Sequence, residues 1–285
     1  MKLLRKLFVL LDMIKFEHTV FALPFALASA LVAANGIPDW RVLGWILVAM
    51  VGARSAAMGF NRIADAKLDA ANPRTKSRAL PAGVVSMGTA WALVIVSSGL
   101  LVLAAYMLNP LAFALSPVAL AAVLGYSYSK RFTSLSHLWL GLCLGIAPVG
   151  AWVAVKGGIG FPSIVLSAAV VLWTAGFDII YSLQDLDFDR KTGLFSLPVR
   201  IGPARALLVS RLFHAVMIAL LVWFGKLAGL GAVYYAGVAC VAVFLVYEQS
   251  LISARDFSRV NTAFFTLNGC VSIGLLIFVA LDVVG

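Results

Sequence analysis

Long apolar segments alternate with short polar connections along nearly the whole chain. Each segment holds about the 20 residues that a helix needs to cross the hydrocarbon core of a bilayer, and Pro- or Gly-containing breaks separate several of them. The pattern predicts an all-α integral membrane protein, a single polytopic domain over residues 1–285. Nine spans are expected, over residues 18–35, 42–66, 87–107, 111–128, 137–155, 163–186, 205–225, 230–250 and 262–282.

The charged residues fall mainly on one side of this predicted arrangement. The longer polar connections share a side if nine spans alternate: residues 67–86, 129–136, 187–204 and 251–261. These connections and the N-terminus hold most of the basic residues, whereas the opposite connections hold little more than Arg41, Lys156 and Lys226. The positive-inside rule then places the N-terminus in the cytoplasm and the C-terminus outside, as expected in a bacterial inner membrane.

Composition supports the membrane prediction. The chain is 62% apolar and 12% charged, with a mean hydropathy of +1.02, and soluble domains carry about twice that charged fraction. The net charge of +10 does not indicate nucleic-acid binding, because no basic patch interleaved with aromatic residues is present. Cys143, Cys240 and Cys270 each lie inside an apolar run, which favours packing over a disulfide or a zinc site. We expect the first apolar run to be a retained helix rather than a removed signal peptide.

Six of the twelve acidic residues lie in two short stretches at predicted span ends. At 100° per residue, one helical stripe carries Arg54, Asn61, Asp65 and Asp69. A second stripe carries Asp178, Tyr181, Asp185 and Asp189. Arg62 and Asp187 point away from these stripes by the same geometry. Each span end therefore presents a column of oxygen atoms near the cytoplasmic face of the membrane.

Such carboxylates are costly near a membrane and usually mark function. Asp and Asn oxygens suit Mg²⁺, which keeps several waters and binds substrate phosphates. Two facing columns predict a site for a diphosphate bridged by Mg²⁺, with nearby basic residues neutralising the phosphate oxygens. Those basic residues are Lys67, Arg74, Arg78, Lys130, Arg131 and Lys191. The alternative, that the charges are only solvated helix ends, is common for one such cluster but not for two of the same form.

At these residues the chain resembles the UbiA superfamily of intramembrane aromatic prenyltransferases. The first family motif, N/D-x-x-x-D-x-x-x-D, is matched by Asn61, Asp65 and Asp69, although Arg62 stands where an Asp is commonest. The second motif, D-x-x-Y-x-x-x-D-x-D-x-D, is matched in full over residues 178–189. The segment 126–133 is similar to the family's connection between the fourth and fifth spans. The resemblance covers nearly the whole chain.

The resemblance implies nine transmembrane helices around a central cavity, capped by cytoplasmic loops. It also implies transfer of a polyprenyl group from polyprenyl diphosphate to an electron-rich carbon of an aromatic acid, with Mg²⁺ as cofactor and release of diphosphate. A cavity within the bilayer would exclude water, which would otherwise quench the cation-like prenyl carbon.

Residue roles follow from the same resemblance. The Mg²⁺–diphosphate ligands would be Asn61, Asp65, Asp69, Asp185 and Asp189, the carboxylates also serving catalysis. Diphosphate contacts would come from Lys67, Lys130, Arg131 and Lys191, and further from Arg74 and Arg78. Arg54 would bind an acceptor carboxylate, with an ion pair to Asp178 as its alternative. Asp178 and Tyr181 would orient the acceptor or stabilise the developing cation. Because His137 and His214 lie at span beginnings, they are expected to be structural.

The sequence allows more than one acceptor and more than one class of protein. Residues 15–25 resemble a branch related to 4-hydroxybenzoate prenyltransferases, some members serving menaquinone synthesis through a dihydroxynaphthoate. Lys15 is then a further candidate for binding substrate. Within the superfamily, haem, chlorophyllide and glycerol-lipid acceptors remain open. A transporter is the rival from another class, although its charges would be expected near the midplane. A CDP-alcohol phosphotransferase is disfavoured because the Asp-Gly and Ala-Arg pairs of its motif are absent.

Overall fold

The computed structural model describes residues 13, 19–253, 256–257, 259–260 and 263–285, and within them the regular structure is helical, with no β-strand. The long helices are α1 (Thr19–Ala34), α2 (Trp40–Ala64), α4 (Met87–Leu108), α5 (Pro110–Ser129), α6 (Ser136–Lys156), α7 (Phe161–Ser182), α10 (Pro203–Ala228), α11 (Ala232–Ser250) and α12 (Asn268–Val284). Short helices lie between them: α3 (Ala66–Ala71), α8 (Leu186–Thr192) and α9 (Leu197–Ile201). A 3₁₀ turn covers Leu183–Asp185, and a π-helical turn over Ala263–Leu267 precedes α12.

Capping residues set several of the helix boundaries. The side chain of Asn109 accepts a hydrogen bond from the Ala112 amide at 2.9 Å, while Pro110 occupies the first turn of α5. The hydroxyl of Ser86 accepts from the Thr89 amide at the start of α4. At the C-terminal end of α6, Gly157 adopts the left-handed conformation with φ 68°, which ends the helix without steric cost.

Each long helix coincides with a predicted span, so the apolar pattern located these elements correctly. Seven described helices are long and apolar enough to cross a membrane by length and composition. The two shorter apolar helices are the first and last described ones, Phe21–Ala34 and Asn268–Val284. The all-helical membrane class is therefore confirmed, whereas the number of spans is not fixed by helix length.

The long helices contact one another in chain order and close into a ring, because α12 packs against α1. Glycines allow the closest approaches: a Cβ on Gly52 of α2 would lie 2.8 Å from backbone atoms of α4, and one on Gly141 of α6 would lie 2.4 Å from the Val171 carbonyl of α7. One half of the ring is filled by an aromatic core around Trp173 and Phe177. A cavity occupies the other half, between α2, α4, α5, α6 and α7.

Candidate active site

The cavity has a volume of about 1060 Å³ and two chemically different regions. Its walls are mostly apolar, with side chains such as Ile46, Leu108, Val118 and Val149. Charged groups gather where α2 and α7 end, and residues of the connections after those helices also line this charged end. A chamber of this kind suits a ligand with an ionic head and a long apolar body.

The first acidic cluster comprises Asn61, Asp65 and Asp69, which all line the cavity. The helix is interrupted between them, since α2 ends at Ala64 and α3 begins at Ala66. Hydrogen bonds from the Asp65 amide to the Asn61 carbonyl (2.9 Å) and from the Asp69 amide to the Asp65 carbonyl (2.7 Å) continue the i to i−4 pattern through the break. The three side chains consequently keep the common face that the spacing predicts.

The second acidic cluster comprises Asp178, Asp185 and Asp189, and it lines the same cavity. Asp178 is on α7, Asp185 ends the 3₁₀ turn and Asp189 is on α8. All three are buried, as is Asp69 in the first cluster. The structure therefore brings the two motifs together across one chamber, although more than a hundred residues separate them in the chain.

Lys or Arg side chains lie close to four of these five carboxylates, all except Asp178. Arg131 lies 3.0 Å from Asp65, Arg78 lies 2.7 Å from Asp69, and Lys130 lies 3.9 Å from Asp189. Arg74 binds Asp185 through Nε at 2.8 Å and through Nη2 at 2.5 Å. The predicted basic residues Arg74, Arg78, Lys130 and Arg131 are thus all within the charged end of the cavity.

Several residues of the charged end that lie outside the long helices have shifted pKa values, Asp65 and Lys130 among them. Burial raises the pKa of Asp65, and this outweighs the opposing hydrogen bond and charge of Arg131. Burial alone would lower the pKa of Lys130, but the carboxylates of Asp189, Asp178 and Asp185 raise it overall. Lys130, whose side chain is 30% exposed, therefore remains a cation at neutral pH.

The donor set of the charged end fits Mg²⁺. Its oxygens are carboxylate and amide oxygens, which a hard cation prefers. Asp69 and Asp189 each have a buried Oδ2 with no hydrogen-bond partner among the described residues. The nearby cationic nitrogens of Arg62 and Lys130 lie 4.0 and 3.9 Å from these oxygens, beyond hydrogen-bond distance, so both oxygens can still bind a metal ion. In the described part of the chain, no three acidic, His or Cys groups stand close enough to form a metal centre by themselves. Mg²⁺ usually keeps several waters and binds substrate phosphates, so these side chains would provide only part of its coordination.

Deeper in the cavity lie the residues predicted to bind the acceptor. Arg54 lies about 10 Å along α2 from Asn61, and its buried Nε has no hydrogen-bond partner among the described residues. Tyr181 stacks on Phe264 with a centroid separation of 4.1 Å, and the Arg74 guanidinium lies over its ring. The alternative of an Arg54–Asp178 ion pair is not found, because Asp178 instead contacts His137 at 2.7 Å.

Comparison with known proteins decides the family of this chain. Residues 22–269 match the model of the UbiA prenyltransferase family. The chain belongs to the UbiA prenyltransferase family. It is 34% identical over 254 residues to a 4-hydroxybenzoate octaprenyltransferase of Aliivibrio fischeri strain MJ11, covering 88% of this chain and 86% of the relative. These findings confirm the predicted resemblance and, with it, the class of membrane-bound prenyltransferases.

Solved structures of UbiA homologues share this fold. The apo structure of a homologue from Aeropyrum pernix K1 superposes with a TM-score of 0.85 at 38% identity, covering 93% of this chain and 98% of that one. A homologue from Archaeoglobus fulgidus, bound to DMAPP and Mg²⁺, superposes with a TM-score of 0.77 at 18% identity, covering 96% and 98%. The second likeness concerns the fold alone.

Some residues predicted from the UbiA motifs lie elsewhere or behave differently. Lys67 and Lys191 are exposed on α3 and α8 and do not line the cavity, because the neighbouring carboxylates face inward there. Asp187 is exposed, as its helical position predicts. The prediction for Arg62 was wrong: its long side chain folds back to line the cavity, with Nε bonding the Met13 carbonyl at 3.1 Å and Nη1 4.0 Å from Asp69. Lys15 lies outside the described residues.

The structure adds site residues that the sequence did not reveal. The Asn72 amide donates to Asp185 at 3.2 Å, so the connection after α3 reaches the second motif twice, through Asn72 and Arg74. Phe264 lines the cavity from the π-helical turn. His137, expected to be only structural, contacts Asp178. The Asn-Pro-Arg run at residues 72–74 was the available signal for the first of these, whereas nothing local marked the other two.

Proposed function

We propose that this protein transfers a polyprenyl group from polyprenyl diphosphate to a ring carbon of an aromatic acid, 4-hydroxybenzoate or a dihydroxynaphthoate, and releases diphosphate. The observation that carries the proposal is the meeting of both acidic clusters at one end of an otherwise apolar cavity. The name of the Aliivibrio relative supports an aromatic acid of this type. The product would be an intermediate in ubiquinone or menaquinone synthesis.

The donor diphosphate would bind at the charged end of the cavity. Asn61, Asp65, Asp69, Asp185 and Asp189 would hold Mg²⁺, which the Archaeoglobus homologue also binds. When bound, Mg²⁺ would supply positive charge to the phosphate oxygens and make diphosphate a better leaving group. The apolar walls would hold the prenyl chain, whose burial favours binding.

The basic residues around the carboxylates would complete this site. Arg74, Arg78, Lys130 and Arg131 already lie against the acidic groups. Arg and Lys are also the residues that bind phosphate oxygens. As the carboxylates take metal, these cations would turn to the diphosphate and stabilise the charge that develops when the allylic C–O bond breaks. Lys67 and Lys191 are outside this set because they do not line the cavity.

The acceptor would bind deeper, between α2 and α7. Arg54 would form charge-assisted hydrogen bonds with the acceptor carboxylate, which provides the partner that its buried Nε lacks. Asp178 would accept a hydrogen bond from the ring hydroxyl and thereby orient the attacking carbon. Tyr181 would face the developing prenyl cation with its ring, and the apolar walls would exclude water from that cation.

Nine helices would span the membrane as one domain, with α1 and α12 as the two shorter spans. The connections that contain α3, α8 and α9 would form a cytoplasmic cap over the charged end. The concentration of Lys and Arg in these connections supports a cytoplasmic N-terminus and an external C-terminus.

The direct test supplies the purified protein with labelled polyprenyl diphosphates and a panel of acceptors in the presence of Mg²⁺. A prenylated aromatic acid together with released diphosphate is the expected result. Product from haem, a chlorophyllide or a glycerol lipid alone would replace the proposed acceptor, and flux of a substrate without chemistry would indicate a transporter.

A further inference from the structure

His137 makes one hydrogen bond through each ring nitrogen, the first to a residue that lines the cavity and the second to the backbone where α9 begins. It is the second residue of α6 and only 2% exposed. Its Nδ1 lies 2.7 Å from Oδ2 of Asp178, a residue 41 positions away on α7. Its Nε2 lies 3.2 Å from the backbone nitrogen of Leu197, the first residue of α9.

These two partners determine where the imidazole proton lies. A backbone N–H can only donate, so Nε2 must accept the hydrogen bond from Leu197 and carries no proton. The proton of a neutral ring is then on Nδ1, where it points at Asp178. A doubly protonated ring would direct Nε2–H against the Leu197 N–H. The geometry therefore selects the neutral tautomer whose Nδ1–H donates to Oδ2 of Asp178.

The segment that holds this tautomer is itself tied to the charged end of the cavity. Between α8 and α9, the Leu194 amide donates to the Asp189 carbonyl at 2.9 Å and the Phe195 amide donates to the Lys130 carbonyl at 2.7 Å. The Leu197 amide continues this series to His137. One short stretch of backbone thus contacts two residues of the proposed diphosphate site and the partner of Asp178.

Asp178 lines the cavity, and among the described side chains His137 is the hydrogen-bond partner found for its carboxylate. An Asp side chain without such a partner rotates about two torsions and presents its oxygens in several directions. Holding Oδ2 with Nδ1–H fixes the carboxylate and leaves its other oxygen for a ligand in the cavity. For comparison, removing the hydrogen-bond partner that orients a metal-binding side chain lowers activity by about 10- to 100-fold.

We propose that His137 is a positioning residue for prenyl transfer: it orients the Asp178 carboxylate toward the acceptor hydroxyl, and the Leu197 amide keeps the imidazole in the tautomer that donates to Asp178. This inference rests on the proposed function of Asp178 as an acceptor-binding residue.

Two substitutions separate the two hydrogen bonds of His137. In His137→Asn, the amide NH₂ takes the approximate place of Nδ1–H and can still donate to Asp178. In His137→Phe, the ring volume is retained and both hydrogen bonds are lost. We expect His137→Phe to reduce kcat by about 10- to 100-fold and to raise the KM for the aromatic acid, with the KM for prenyl diphosphate nearly unchanged. His137→Asn should recover most of the lost kcat.

A double-mutant cycle distinguishes positioning from a general structural role. If His137 acts through Asp178, His137→Phe will lower kcat no further in an Asp178→Asn background. His214→Asn is the matched control, because His214 is also buried but bonds the Trp173 carbonyl on the far side of α7 from the cavity. Thermal unfolding of every variant reports whether the fold is retained.

The outcomes separate this inference from the proposed function. An inactive wild-type protein with every acceptor would overturn the proposed function itself. If the wild type is active, three results would each overturn the role of His137. These are full kcat in His137→Phe, no recovery of kcat in His137→Asn, and multiplication of the separate losses in the Asp178→Asn, His137→Phe double variant.

Discussion

The Arg74 guanidinium binds both carboxylate oxygens of Asp185, with Nε 2.8 Å from Oδ1 and Nη2 2.5 Å from Oδ2. This two-point contact joins the connection after the first acidic cluster to the second cluster, across 111 residues of chain. Lys cannot reproduce it, because an ammonium group lacks the planar fork of donors.

Replacing Arg74 by Lys should therefore weaken donor binding. We expect the KM for prenyl diphosphate to rise about tenfold, since the fork that meets carboxylate or phosphate oxygens at two points is lost. Steady-state kinetics at saturating acceptor measure this change. Lys76→Gln is the control, because Lys76 is exposed in the same connection and does not line the cavity. Equal KM values for Arg74→Lys and wild type would remove Arg74 from the diphosphate site.

Replacing Arg54 by Gln should affect the acceptor and not the donor. A charge-assisted hydrogen bond contributes about 1.5–3 kcal/mol, so the KM for 4-hydroxybenzoate should rise about 10- to 100-fold while that for prenyl diphosphate stays constant. Arg41→Gln is the control, since Arg41 lies in the first turn of the same helix and does not line the cavity. An unchanged acceptor KM in Arg54→Gln would exclude the carboxylate-binding role.

The close contact of α6 with α7 predicts a stability effect without a change in chemistry. A methyl group at Gly141 would lie 2.4 Å from the Val171 carbonyl, so Gly141→Ala should push the helices apart and cost about 1–3 kcal/mol. In Gly150→Ala on the same helix the methyl would meet nothing within 4 Å. That variant should be neutral or slightly stabilising, because Ala favours helix more than Gly. Thermal unfolding in detergent compares the two, and equal melting temperatures would contradict the packing.

The proposed orientation predicts which connections face the cytoplasm. In a variant without native cysteines, Lys76→Cys should react with a membrane-impermeant maleimide only after the cells are opened, since it would lie in a cytoplasmic connection. Gly158→Cys, between α6 and α7, should react in intact cells. The reversed pattern would show the opposite orientation, and reaction of both in intact cells would contradict the number of spans between them.

Local periodicity was sufficient for much of the fold and for each acidic cluster separately. Apolar run lengths located the long helices because a membrane imposes both composition and length on them. The Asn61–Asp65–Asp69 face survived a helix break, since backbone hydrogen bonds maintain the period through it. Periodicity does not show how far a long side chain extends: Arg62 starts from a position off the stripe, but its length lets it line the cavity.

Contacts between distant segments could not be predicted from periodicity. Helical periodicity shows which residues lie on the same face of a helix, but not which residues of other helices that face contacts. His137 begins a span, where a histidine is unremarkable, and only the packing of α6 against α7 places it beside Asp178. For the same reason Lys67 and Lys191, close in sequence to the carboxylates, were predicted at the cavity although their side chains are exposed outside it.

The central claim is that the two acidic clusters jointly hold Mg²⁺ and the prenyl diphosphate. Its most direct test measures prenyl transfer by Asp65→Asn and Asp185→Asn against Mg²⁺ concentration, together with Mn²⁺ binding followed by electron paramagnetic resonance in the presence of prenyl diphosphate. We expect each variant to lose at least about 100-fold in kcat/KM, the equivalent of roughly 2.7 kcal/mol, and to bind Mn²⁺ more weakly. Full activity and unchanged metal binding in either variant would contradict the account.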